Sequence, residues 1–170
     1  MPLTINSNVN YPGSGPFGTG NVQVFGVSGT WTVPPGINNV RVRVFGGGAG
    51  SNGGGGGFAM KSIYNLAGAG VSSVAVTVAT ETTGAGNSSS FGSYCSATGG
   101  LTSTSGGGTG TGGDINTTGG TGSSGSGGGV ASMWGNGGNA GAGSQTGRSG
   151  ASGGGAQTNA YSGGSGLTGS

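Results

Sequence analysis

Glycine constrains this chain more than any other residue: it supplies 50 of the 170 residues, and 27 of those lie in residues 101–170. That stretch has no proline and only two charged side chains, Asp114 and Arg148. A segment of Gly, Ser, Thr, Ala and Asn has almost no apolar surface to bury. Fixing its backbone costs roughly 1–2 kcal/mol per residue, and more for glycine. Two outcomes fit that balance. Either the stretch is a disordered linker, or backbone-to-backbone hydrogen bonds hold it where side chains cannot.

Composition removes several function classes. Hydrophobic residues make up 29% of the chain and charged residues 4%, with a net charge of +2. Compositional disorder pairs low hydrophobicity with high net charge, and the second is missing. Four basic residues are too few for a nucleic-acid footprint, which clusters Lys and Arg on one face. No run approaches the ~18 apolar residues of a membrane span, and no apolar stretch of a secretory signal follows Met1. Neither nucleic-acid binding nor membrane insertion is expected. The lone Cys95 leaves no intrachain disulfide and reads as a small buried apolar residue.

Catalysis finds no support either. Without histidine there is no Ser-His-Asp or Cys-His arrangement, and no transition-metal site or bound cofactor is expected. Glu81 and Asp114 lie 33 residues apart and carry no positive sign of a glycosidase pair. Gly-x-Gly-x-x-Gly matches are uninformative in so glycine-rich a chain, and Phe58-Ala59-Met60 interrupts the one Lys-Ser near a glycine run. The chain reads as non-enzymatic.

Ahead of the glycine-rich stretch, strand patterns are plain. Residues 1–20, with three prolines and four glycines, read as an extended arm docking onto a neighbour. Residues 21–33 alternate and read as a hairpin-like pair of strands, ended by Pro34-Pro35-Gly36. In residues 38–46, Val40, Val42 and Val44 line one face, with Arg41 and Arg43 on the other as a solvated strand face or a contact to an anionic partner. Residues 58–66, the run Val74–Val78 and the region of Phe91, Tyr94 and Cys95 supply further strands. Between two of them, residues 46–57 hold a glycine run with nothing to pack. Five or six short strands at this spacing predict a small antiparallel sandwich or barrel over residues 21–98, and no helical periodicity occurs.

Beyond residue 98 the period changes to three. Gly107, Gly110 and Gly113 share a register, as do Gly119, Gly122, Gly125 and Gly128, then Gly135, Gly138 and Gly141, and finally Gly163, Gly166 and Gly169. Three residues per turn belong to the polyproline-II helix, which has no internal hydrogen bonds and needs partners or water. Lack of proline and broken registers exclude collagen. The ordered alternative to a linker is a bundle of short glycine helices bonded to one another, a polyglycine-II bundle over residues 99–170. Its breaks carry Leu101, Ile115, Val130, Met133, Trp134, Tyr161 and Leu167, placed at the ends where side chains have room.

The order of motifs resembles the glycine-rich domain at the ends of many bacteriophage tail fibres. The resemblance rests on Trp31-Thr32-Val33-Pro34-Pro35-Gly36, the run from Val40 to Gly57, Ala59-Met60-Lys61, the strand Val74–Val78, the element from Ser88 to Gly100, and the Gly-Gly-Asp-Ile-Asn run within Gly112 to Gly122. It covers about residues 22–122. A weaker similarity, of composition, links the chain to tail-tip adhesins in which a polyglycine-II sandwich presents variable loops. Members of the fibre family usually close with an apolar strand, which the run from Gly163 to Ser170 lacks. That departure favours an oligomer.

The expected molecule is therefore all-β: an arm (1–20), a small β domain (21–98) and a polyglycine-II bundle with tip loops (99–170). The resemblance implies a virion tail protein that recognises a glycan or an outer-membrane or pilus protein on the host surface. It implies a homotrimer, the commonest state of such fibres, attached to other tail proteins through its arm. The expected receptor-binding residues are Met133, Trp134, Asn159 and Tyr161, with Arg148, since loop aromatics carry much of the binding energy at interfaces. A purely structural glycine-rich virion or wall component and a polyglycine-II ice-binding protein are the alternatives.

Overall fold

A computed structural model describes residues 22–80, 82–102, 106–124 and 126–141. Eight strands occur there, β1 (Gly29–Thr32), β2 (Val40–Phe45), β3 (Phe58–Ile63), β4 (Ser73–Thr77), β5 (Ser89–Phe91), β6 (Cys95–Ala97), β7 (Gly110–Thr111) and β8 (Ile115–Thr117), with no helix. They form two antiparallel sheets, β1-β4-β5-β6-β7 and β2-β3-β8. The expected all-β class with antiparallel sheets is what the chain adopts. Strands from both sides of residue 98 share each sheet, because β6 pairs with β7 and β3 with β8.

One apolar core lies between the sheets. The five-stranded sheet contributes Trp31, Val74, Val76, Phe91, Cys95 and Ala97; the other contributes Val44, Ala59 and Ile63, with Leu66 just beyond. Strand β4 shows how local sequence achieves this, since Val74 and Val76 are buried and its other residues exposed. Trp31 and Phe91 meet as tilted rings with centroids 5.5 Å apart, a geometry the ring quadrupoles favour. The hairpin expected over residues 21–33 reduces to β1. Residues 22–28 form no strand, and Val22, Val24 and Val27 are 74–77% exposed. Ser28 instead fastens the segment, its hydroxyl accepting from the Val78 amide at 2.9 Å. Pro34-Pro35-Gly36 makes its turn as read, with Gly36 at φ 82 and the Ile37 amide donating to the Pro34 carbonyl.

At one end of the sandwich the strands do not stop; they become glycine segments. Strand β2 runs on into 46–50 and β3 is preceded by 53–57, with Ser51 and Asn52 turning between them at positive φ. Strands β5 to β8 are likewise extended by residues 84–88, 98–101, 106–109 and 118–122. Two further segments, 127–131 and 136–141, follow two-residue turns closed by the Ser123–Ser126 and Ser132–Gly135 bridges.

The bonding between these segments differs from a β-ladder. In a ladder every second residue faces a given neighbour. Here the step is three. Gly54 donates to Leu101 and Gly57 to Thr98; Gly128 donates to Gly53 and Ala131 to Gly56; Gly137 donates to Thr118 and Ala140 to Thr121. The run 53–57, which seemed to have nothing to pack, is the centre of this array. Its amides and carbonyls bond to segments 46–49, 98–101, 106–109, 118–122 and 127–131. Neighbours fit so closely that a Cβ on Gly55 would overlap the Gly129 carbonyl, one on Gly56 the Gly46 carbonyl, and one on Gly100 the Gly54 carbonyl.

Candidate functional site

Of the five residues expected to bind a receptor, Met133 and Trp134 fall within the described residues; Arg148, Asn159 and Tyr161 lie outside them. Met133 and Trp134 are the two central residues of the turn closed by Ser132 and Gly135, whose amides each donate to the other's carbonyl, at 3.1 and 3.2 Å. The Trp134 amide also reaches the Ser132 hydroxyl at 3.2 Å, and the Ser132 carbonyl accepts from the Thr117 hydroxyl at 2.8 Å.

The turn sends its two side chains in different directions. Met133 is half-buried against a second apolar cluster of Phe58, Met60, Ala131 and Ile115. Trp134 stands 52% exposed. A flexible thioether thus plugs the turn onto the outer face of the β2-β3-β8 sheet, leaving a rigid aromatic on a clamped backbone. The same cluster explains why β3 is buried on both faces, which its alternating pattern left open. Phe45 meets Phe58 as tilted rings with centroids 4.8 Å apart and stays 50% exposed.

The placement of this turn follows from the segment bonding. Ala131 bonds to Gly56 and Thr117 to Ser132, so the turn sits where glycine segments meet the sheets. A different set of turns gathers at the opposite end. Gly50 bonds to Gly84, Gly54 to Leu101 and Gly128 to Gly53, which brings together Ser51-Asn52, Thr82-Thr83, Leu101 and the 123–126 turn. Leu101 is 53% exposed there. Sequence reasoning passed over Ser51-Asn52, although it is the one polar pair inside the run 46–57 and therefore the natural turn.

The charged groups among the described residues cluster at the sandwich end. Lys61 and Asp114 pair at 3.0 Å. The Asp114 carboxylate also accepts from the Ser62 amide at 2.7 Å, while the Asp114 amide donates to the Met60 carbonyl. The Ser62 amide first, and Lys61 second, hold the Asp114 carboxyl below its ordinary value. Cys95 is buried, and burial pushes its thiol up. Arg41 and Arg43 are exposed on the outer face of β2, as their alternation indicates.

Comparison with protein-family models, with curated proteins and with solved structures returns no match for this chain.

Proposed function

We propose that this chain is a non-enzymatic receptor-binding protein of a bacteriophage tail fibre or tail tip, in which polyglycine-II segments extend a two-sheet sandwich. The observation that carries the reading is the three-residue step of bonding around Gly53–Gly57. A polyglycine-II helix turns once every three residues, so every third amide meets the same neighbour. Close packing accompanies that step: Gly107, Gly119, Gly122 and Gly128 each face a neighbouring carbonyl oxygen where a Cβ would collide. Such an array needs no large core and gives a stiff support for short loops.

The binding role rests on Trp134, exposed on a turn fixed by two backbone-to-backbone hydrogen bonds and by the bond from its own amide to the Ser132 hydroxyl. A large ring held rigidly loses little entropy on contact. In this reading Met133-Trp134 and the loop of Asn159 and Tyr161, with Arg148, contact a surface glycan or an outer-membrane or pilus protein. The arm of residues 1–20 joins other tail proteins in a homotrimer of the virion tail.

The test is saturable binding of labelled full-length protein to bacteria, over a panel lacking lipopolysaccharide, outer-membrane proteins or pili. Binding to a subset of strains, lost in Trp134→Ala without a change of melting temperature, is expected. Uniform absence of binding, or full binding by Trp134→Ala together with Tyr161→Ala, overturns the assignment.

A further inference from the structure

Among the described residues strand β2 lies at the edge of its sheet, and its outward edge is chemically distinctive. The register sets Val40 opposite Ile63, Val42 opposite Lys61 and Val44 opposite Ala59, and the Gly46 amide donates to the Gly57 carbonyl. Hydrogen-bonded pairs alternate along an antiparallel ladder. The valines therefore bond to β3, and the amides and carbonyls of Arg41, Arg43 and Phe45 point away from it. The far side of β3 agrees: Met60, opposite Arg43, accepts from Asp114, and Ser62, opposite Arg41, donates to Asp114. Among the described residues, no backbone bond beyond the ladder involves Arg41, Arg43 or Phe45.

We propose that this edge accepts an antiparallel strand from an acidic partner protein. An added strand places its residues opposite Arg41, Arg43 and Phe45 on the outer sheet face, and those between them opposite Val40, Val42 and Val44. The matching sequence reads apolar, any, acid, apolar, acid, apolar. Its acids meet two exposed guanidinium groups, and its apolar residues extend the core over the half-buried Val40 and Val42. Phe45, already packed against Phe58, gives the strand an apolar end stop. Main-chain bonds supply the affinity and alternate side chains the selectivity.

Charge decides the occupant. A second copy of β2 in the registers of fullest overlap sets arginine opposite arginine, which is destabilising. Residues 1–21 and 142–170 contain no carboxylate side chain, so neither supplies the acids. The chain has only Asp114, already paired with Lys61, and Glu81. Edge arginines thus exclude self-pairing and select an acidic strand. This inference is independent of the host-surface reading, since it uses neither Trp134 nor the glycine segments.

The experiment uses the full chain and a labelled, end-capped peptide reading Leu-Thr-Glu-Val-Glu-Val, followed by fluorescence anisotropy. Saturable binding is expected. It should weaken about fivefold for each ladder amide blocked by N-methylation. The double variant R41E/R43E should lose the Glu peptide and bind its Lys counterpart. Binding insensitive to N-methylation means charge attraction alone and overturns strand addition. Self-association of the wild type through this edge, equal binding of a scrambled peptide, or no binding also overturns it.

Discussion

Replacing Gly55 by alanine tests the packing of the glycine segments most sharply. Gly55 donates to the Gly120 carbonyl at 3.0 Å and accepts from the Gly108 amide at 2.8 Å. A new Cβ would overlap the Gly129 carbonyl, a backbone group that cannot rotate aside. Pushing segments apart strains two hydrogen bonds, each contributing about 1 kcal/mol, and overpacks the centre at a cost of about 1–3 kcal/mol. The lower entropy of the unfolded alanine chain offsets about 0.4–1 kcal/mol. The net loss is about 2–4 kcal/mol, seen as a drop in urea midpoint at unchanged slope and a fall in Tm of about 5–15 °C. Gly48→Ala is the control, because a Cβ there meets nothing within 4 Å. It should be neutral or stabilise by up to about 1 kcal/mol. Equal, small effects of the two substitutions would mean that the segments around Gly55 are not closely packed.

Two predictions concern titratable groups. Since the Ser62 amide and Lys61 lower the folded-state value of Asp114, its carboxylate contributes stability that is present above the unfolded value of about 3.9 and lost as pH falls through the depressed folded value. Acid titration of Tm should show that loss, and Asp114→Asn should remove this component while lowering stability at neutral pH. Cys95, buried with its thiol pushed up, should resist alkylation at pH 8 in the folded protein and react at once in denaturant. Rapid labelling of the native protein would place the thiol at the surface instead.

Much of the sandwich was legible because side-chain alternation reports on a half-buried strand. Val40, Val42 and Val44 against Arg41 and Arg43 gave β2, and Val74 and Val76 gave β4. The same signal misled at Val22 and Val24, where alternation exists but those residues form no strand. It was also silent on the outer face of β3. Phe58 and Met60 are buried there by Ala131, Ile115 and Met133, which lie more than fifty residues away in the chain. The glycine run 46–57 was the least readable segment. A missing side chain shows that something can approach closely, but not which carbonyl will. Trp134 was identifiable as a bulky residue in a break; its exposure, with Met133 turned inward, depends on the Ser132–Gly135 closure.

Amide hydrogen exchange of the native protein, resolved residue by residue by NMR, tests the central claim that inter-segment backbone bonds hold the glycine segments. The residues to follow are Gly54, Gly55, Gly57, Gly108, Gly120, Gly128 and Gly129, whose amides each donate to another segment. These amides should exchange only through global opening, with the same free energy as the core amides of β3 and β4. Exchange of these glycines at open-chain rates, while β3 and β4 stay protected, would contradict that claim.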